Sequence, residues 1–441
     1  MNLTVEQVLA LAPDPSSGSA ARKLGISKPW SSLGRCERAI WGECQGSALY
    51  QVRVDLTDVA TKCTCPSRKF PCKHALGLLL LAATAPASLV AGVPPEWVTD
   101  WLARRAASTE RKEARAAAPE KAPDPAAQAK RAEQRLARVV KGLDALDLWM
   151  NDLVRNGIAG VEAHPPAYWE TQAARLVDAQ APALASGVRR LAQLVGGDAR
   201  WPVRLLDELG RIALLTHAFR RIDELPAPLQ ADVRQLIGWS LTQDEVAASG
   251  EAIKDEWIVA GQWSEDDERV RVQRTWFVGV RSSRTALFLQ FAAGVAPFAE
   301  NLIPGTAFEG ELVYWPSAWP IRATIRERFA APRVWSDRLP GFDRVEAFLD
   351  AVAAATARQP WFDRTVACLR AVTPVHLGKA GRIVRDTEGR ALPLAPLDAW
   401  ALFALSGGAP VDLTAEWDGC HLVPLSAIVD GAFHVLWKGA A

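Results

Sequence analysis

Long apolar segments are missing from this sequence of 441 residues. The longest, 75–83, is about half of the roughly 20 residues that a membrane-spanning helix needs, so we expect no membrane protein. No basic region followed by an apolar block stands at the N-terminus, which argues against a secretory signal and favours a cytoplasmic protein. The net charge is +1, so bulk electrostatics favour neither nucleic acid nor a membrane as a partner.

Cysteine and catalytic motifs are scarce as well. Seven cysteines are too few for a disulfide scaffold in a chain of this length. Four metal-ligand candidates nevertheless lie within twelve consecutive residues, which favours metal chemistry in a reducing compartment. The sequence contains no GxxxxGK[ST], GxSxG or HExxH motif, and no GxGxxG after a strand. We therefore expect a protein that is not an enzyme.

The composition is that of an ordinary globular protein, with 49% hydrophobic and 23% charged residues. The length predicts two to four domains. Abundant alanine and an excess of arginine over lysine suggest a bacterial genome.

The pattern of residues predicts an α+β fold with four segments. Residues 1–103 form a small domain of ββα outline, because 38–60 reads as two extended runs and 72–83 has the composition of a helix. Residues 104–131 consist mainly of Ala, Lys, Glu, Arg and Pro, and we interpret them as a linker that is partly helical at most.

The two larger segments differ in hydrophobic period. In 132–250 the apolar residues recur at spacings of three and four, as in Leu136, Val139, Leu143 and Leu146, which predicts a helical domain. From about Glu256 the period changes to two, which predicts a β-rich α+β domain over 251–441. Its first hairpin turn is placed at 264–268.

The strongest local signal is a CxC pair separated from CxH by a loop of six residues. Cys63 and Cys65 share one face at the end of a predicted strand, and Cys72 and His74 stand in the first turn of the predicted helix. Three thiolates and one imidazole suit the tetrahedral coordination of Zn²⁺. Buried core residues or a redox pair are the alternatives, but the spacing favours a structural zinc site. Four protein ligands close the shell, so a catalytic zinc is disfavoured.

These residues resemble a known family. Cys63-Thr-Cys65, a short loop and Cys72-Lys-His74 leading into an aliphatic helix are similar to the SWIM zinc finger, and residues 41–47 resemble the N-terminal part of bacterial SWIM-finger proteins. The resemblance covers about 33–83. It implies zinc binding, a role in binding DNA or protein, and no enzymatic activity of the finger itself. Some bacterial members are similar in context to partners of MoxR-like ATPases and von Willebrand factor A proteins.

Positive charge is concentrated around this motif. Between Arg22 and His74 there are ten basic and four acidic residues, a net charge of +6 (ten minus four). The basic residues nearest the ligands are Lys62, Arg68, Lys69 and Lys73. They either contact nucleic-acid phosphates or balance the charge of the thiolates.

Other candidates have plainer interpretations. Cys36 and Cys44 could form a second ligand pair, but buried apolar positions are more common for cysteine. Cys420 and His421, with His434 nearby, are poorly spaced for chelation. Several of the eighteen tryptophans, such as Trp149 and Trp276, lie at positions that the periodicity places in the core or at its edge, which is favoured over base stacking. Trp315 and Trp319 could instead line a peptide groove.

Two hypotheses remain from the sequence. In the first, the chain is a nucleic-acid-binding module whose basic finger contacts phosphates. In the second, it is a protein-interaction adaptor that uses its larger helical and β-rich segments. The sequence does not define an oligomeric state.

Overall fold

The computed structural model describes residues 3–67, 69–117, 125–267, 270–294, 296, 298–397 and 399–436, except for the side chains of 108–117, 125–129, 131, 132, 266, 267 and 380. Within these ranges the chain forms three β-sheets and one bundle of helices. Helix and strand make up 41% and 29% of the structure, which confirms the predicted α+β class.

The N-terminal unit is built on a five-stranded sheet. In chain order its elements are α1 (Val5–Ala10), α2 (Pro15–Leu24), β1 (Trp30–Arg35), β2 (Ala39–Gln45), β3 (Leu49–Asp55), β4 (Ala60–Cys63), α3 (Lys73–Thr84), β5 (Val90–Ala91) and α4 (Glu96–Ala117). The strands lie in the order β4-β3-β2-β1-β5, with β5 parallel to β1 and the other pairs antiparallel. The predicted ββα outline is present inside this larger unit.

Helix α3 is the core of that unit. Its residues from His74 to Leu81 are all buried, so the helix is apolar around its whole circumference. The sheet covers one side, and α1 and α2 cover another. Both covering helices begin at strong caps, since Thr4 forms a capping box with Gln7 and the Asp14 side chain accepts from the Ser17 amide.

Helix occupies more of the predicted linker than the sequence suggested. Residues 104–117 continue α4, and 125–131 begin α5 (Pro125–Arg155); residues 118–124 lie outside the described residues. The physical reason is that Ala, Glu, Lys and Arg are strong helix formers. A shortage of apolar residues limits the packing of a segment without preventing a solvated helix.

The helical unit follows the predicted periodicity. After α5 come α6 (Pro166–Asp178), α7 (Pro182–Leu194), α8 (Trp201–Arg220), α9 (Ala227–Ile237) and the short α10 (Gln243–Ser249). The apolar stripe of α5 is buried from Val139 to Leu153, whereas Leu136 at its start is exposed. None of the described helices combines the length and apolar content required to cross a bilayer.

Two further sheets make up the rest of the chain. The first contains β6 (Glu251–Asp267), β7 (Val270–Gly279), β8 (Thr285–Ala293), β9 (Thr306–Tyr314), β10 (Ala323–Arg328) and β11 (Arg333–Val334), in the order β10-β9-β6-β7-β8 with β11 beside β9. The predicted turn at 264–268 begins too early, because β6 stays paired with β7 as far as Asp267. Glu268 itself lies outside the described residues.

The second sheet follows helix α11 (Val345–Arg358). It contains β12 (Thr365–His376), β13 (Arg382–Arg385), β14 (Ala391–Pro393), β15 (Val411–Trp417), β16 (Leu422–Val429) and β17 (Ala432–Val435), with α12 (Trp400–Ser406) between β14 and β15. Its strand order is β14-β13-β12-β15-β16-β17.

Direct contacts join the finger unit to the loop between β8 and β9 of the first of these sheets. Ile303 is buried in the apolar cluster around α3. Gln7 Nε2 donates to Gly305 O at 3.0 Å, and Asn301 Nδ2 donates to Val59 O at 3.2 Å. The finger is therefore packed into the rest of the chain by both apolar and polar contacts.

Candidate metal centre

Four side chains meet where β4 ends and α3 begins. The Sγ atoms of Cys63, Cys65 and Cys72 and a ring nitrogen of His74 all lie within 4.8 Å of one another. Among the residues that the structure describes, these four are the only such group of ligand atoms. The four residues singled out by spacing are thus brought together.

Local structure explains how each ligand is held. Cys63 is the last residue of β4 and stands opposite Val52 of β3, so both side chains face α3. Cys72 is the N-cap of α3, and its Sγ accepts from the Ala75 amide at 3.5 Å. Cys65 donates its amide to Cys63 Sγ at 3.4 Å across the CxC turn.

Burial is uneven across the four ligands. Cys72 and His74 are buried, whereas Cys63 and Cys65 are partly exposed. A hydrogen bond between the thiols of Cys63 and Cys72 raises the pKa of Cys63 and lowers that of Cys72 to about 4. These opposite shifts favour a thiolate at Cys72 and a protonated thiol at Cys63, whose proton a metal ion would displace.

The donor set fits Zn²⁺. In a tetrahedral site, a Zn–S bond of about 2.3 Å and a Zn–N bond of about 2.0–2.1 Å place the sulfur and nitrogen ligand atoms ~3.6 Å apart. Cys63 Sγ lies 3.8 Å from His74 Nδ1, close to that spacing. Because four protein donors complete a tetrahedron, the set is that of a structural zinc site. A bound ion would hold the strand end and the helix start together.

Comparison with protein families agrees with this geometry. A model described as the SWIM zinc finger matches residues 50–83. The chain contains a SWIM zinc finger. A second model, described as a SWIM-associated four-helix bundle domain, matches residues 134–237, which run from α5 to the end of α9. No match was found among curated proteins or among solved structures.

Tyr50 supports one of the four ligands of the SWIM finger, and it was not identified from the sequence. The ring of Tyr50 packs on the imidazole of His74 with centroids 4.9 Å apart and planes tilted by 33°. The Tyr50 hydroxyl lies 2.6 Å from Ser47 Oγ, which fixes the ring from its other end. The alternation in β3 contained the signal, since Tyr50 shares a face with Val52 and Val52 stands opposite Cys63.

The four predicted phosphate contacts are not equivalent. Lys62 is exposed on the edge strand β4 and pairs with Arg53, so it faces away from the side that carries Cys63. Lys73 is exposed in the first turn of α3. Lys69 is held by Asp14, with Nζ 2.8 Å from the carboxylate. Arg68 lies outside the described residues.

The other candidate metal ligands do not lie close to one another. Cys44 is buried in the apolar core near one end of β2, and Cys36 precedes the other end. Cys420 is exposed in a turn whose amides bind Asp418, and His434 is near Glu6, with Nδ1 3.6 Å from a carboxylate oxygen. Ordinary packing and surface roles account for these residues.

Proposed function

We propose that this protein is a non-enzymatic binding module whose zinc-stabilised SWIM finger contacts the phosphate backbone of nucleic acids. The observation that carries the proposal is a set of exposed cations around the finger that have no carboxylate partner among the described side chains. They are Arg22, Lys23, Lys28, Arg35, Lys62 and Lys73.

Two of the four carboxylates between Arg22 and His74 already pair with arginines. Asp55 lies 3.6 Å from a guanidinium nitrogen of Arg38 and 3.3 Å from one of Arg105, and Asp58 also pairs with Arg105. The surface charge of the finger is therefore more positive than the net charge of the chain suggests. Uncompensated cations release counterions from DNA or RNA, which is the main source of affinity in non-specific binding.

The burial of α3 restricts the mode of binding. A recognition helix must present its side chains to the major groove, but α3 is buried from His74 to Leu81. Contact through lysines on the finger surface would position nucleic acid without reading its sequence. We therefore expect weak sequence preference and strong dependence on salt.

Fluorescence anisotropy with labelled duplex DNA and RNA at two salt concentrations tests this proposal. The double variant Lys62→Glu/Lys73→Glu should bind at least about tenfold more weakly than the wild type, with a shallower salt dependence. Lys379→Glu, at an exposed lysine beyond the finger, serves as the matched control and should bind normally. Equal binding by the wild type and the double variant would rule out this surface.

A second candidate function is supported by the bundle. Helix α8 exposes an apolar stripe at spacings of three, four and four residues, formed by Val203, Leu206, Gly210 and Leu214. The three aliphatic side chains are 53%, 48% and 47% exposed. Such a stripe is typical of a helix that docks on another protein, as the adaptor hypothesis requires.

Crosslinking in the native host tests the adaptor hypothesis. A partner that docks on α8 should be captured by the wild type and lost from Leu206→Glu/Leu214→Glu. The same partner should be retained by Glu208→Lys, a charge change at an exposed position of the same helix. Retention of every partner by the double variant would exclude this stripe as the docking surface.

A further inference from the structure

A cavity of about 490 Å³ lies where the two C-terminal sheets meet. Its walls come from the β7–β8 turn, the loop that follows β9, the loop before α11, one face of α11 and the start of β12. This volume lies within the range of about 300–1,000 Å³ that is typical of sites for small molecules. The cavity is far along the chain from the SWIM finger, and the proposed nucleic-acid surface does not include it.

The side chains on one face of α11 explain why the cavity is not filled. Its cavity-lining residues are spaced by three, one, three and three, so they form one stripe of the helix: Phe348, Ala351, Val352, Ala355 and Arg358. The two alanines lie in the middle of this stripe, where longer side chains would fill the gap. Small residues at these positions keep the cavity open.

The interior of the cavity is mainly apolar. Phe348, Val366 and Cys368 are buried at its base, and Phe342 and Pro320 line its walls. Burial raises the pKa of the Cys368 thiol to about 12, so this cysteine stays protonated and behaves as an apolar residue. The interior therefore offers burial of an apolar group and no nucleophile.

The charged residues lie at the opening. Arg284 is partly exposed and lies 3.6 Å from a carboxylate oxygen of Glu251. Arg358 is exposed, with its guanidinium over the ring of Trp319 at 5.4 Å, and it pairs with no carboxylate among the described residues. Two cations and one carboxylate leave a net positive charge at the entrance of an apolar cavity.

We propose that this cavity binds a small amphipathic carboxylate, with its apolar body against the α11 stripe and its carboxylate at Arg358. A planar guanidinium held over an indole ring keeps its N–H groups free for a bidentate contact with a carboxylate. The apolar body supplies affinity by leaving water, and the charge selects acids over neutral molecules of the same shape.

Isothermal titration of the full-length chain tests the proposal with decanoate and naphthalene carboxylate as probes. At least one of these acids should bind, and the alcohol of the same skeleton should bind at least about tenfold more weakly. Arg358→Met should remove this preference while leaving the affinity for the alcohol unchanged. If neither acid binds, or if Arg358→Met keeps the preference, the proposal is wrong.

Two phenylalanine variants locate the binding site. Ala351→Phe fills the cavity and should abolish binding of the acid. Ala354→Phe places the same side chain at an exposed position of α11 that does not line the cavity, and it should bind as the wild type does. Circular dichroism checks that both variants fold. A folded Ala351→Phe variant with unchanged affinity would place the ligand elsewhere.

Discussion

Trp276 donates its indole N–H to the carboxylate of Glu416 at 2.7 Å, across the interface between the two C-terminal sheets. Trp263 donates to the same oxygen at 3.0 Å, and Arg364 binds the other oxygen at 2.6 Å. Glu416 is buried, and its charge is compensated by the partly exposed Arg364 and by the two indole donors. This carboxylate joins β6 and β7 of one sheet to β15 of the other.

Glu416→Ala should lower the free energy of unfolding by about 3–5 kcal/mol, because Arg364 would be left without its partner near the core. Urea denaturation followed by tryptophan fluorescence measures the change. Glu346→Ala is the control, since the pair of Glu346 with Arg390 is exposed and spans 3.9 Å. It should cost less than about 1 kcal/mol. Equal costs for the two variants would contradict the role of burial.

Gly77→Ala should destabilise the SWIM finger although alanine is the better helix former. A Cβ atom at Gly77 would lie 2.7 Å from the Cβ atom of Leu24 in α2, so we expect a loss of about 1–3 kcal/mol. The matched control is Gly210→Ala in α8, where nothing lies within 4 Å of the added atom. That variant should be more stable by about 0.5–1 kcal/mol, as thermal unfolding would show. The same sign of change for both variants would be inconsistent with close α2–α3 packing.

Asp255 should make the free energy of unfolding depend on pH in the acidic range. Burial alone would raise its pKa, but hydrogen bonds from the Ser282 hydroxyl and from the amides of Ser282, Arg281 and Glu256 hold the pKa below 3.8. A depressed folded-state pKa contributes stability that is present above the unfolded-state pKa and is lost as the pH falls through the folded-state value.

Asp255→Asn should therefore cost most stability near neutral pH, and the difference from the wild type should shrink below pH 3.8. Urea denaturation at a series of pH values measures this difference. Asp350→Asn, at an exposed aspartate of α11, should show no such trend. A constant difference for Asp255→Asn across the acidic range would contradict the assignment.

Removal of one zinc ligand should make the thermal stability of the protein insensitive to chelators. The purified wild type should contain stoichiometric zinc and should lose thermal stability in EDTA, because metal-binding energy contributes to folding. Cys72→Ser should contain far less zinc, melt at a lower temperature and be insensitive to EDTA. Cys420→Ser, at an exposed cysteine outside the cluster, should behave as the wild type does. Full zinc content in Cys72→Ser would show that the ligand set is wrong.

The sequence by itself determined the zinc ligands and the main helices. CxC and CxH are local patterns: the strand period predicts Cys63 and Cys65 on one face, and the short spacing places both Cys72 and His74 in the first turn of a helix. The helical period likewise predicted α5 to α9, since each helix has to bury one apolar stripe. A local sequence pattern is sufficient to predict structure where the residues that form it lie within a single helix or strand.

Only the tertiary structure decided which residues face one another across the chain. Sequence could not show that α2 crowds Gly77, that Asp14 holds Lys69, or that α3 is covered on several sides. Strands β12 and β15 were not predicted, and the partners of Glu416 come from β6, β7 and Arg364. These relationships join residues far apart in sequence. They are fixed by the packing of sheets and helices against each other, which no short pattern encodes.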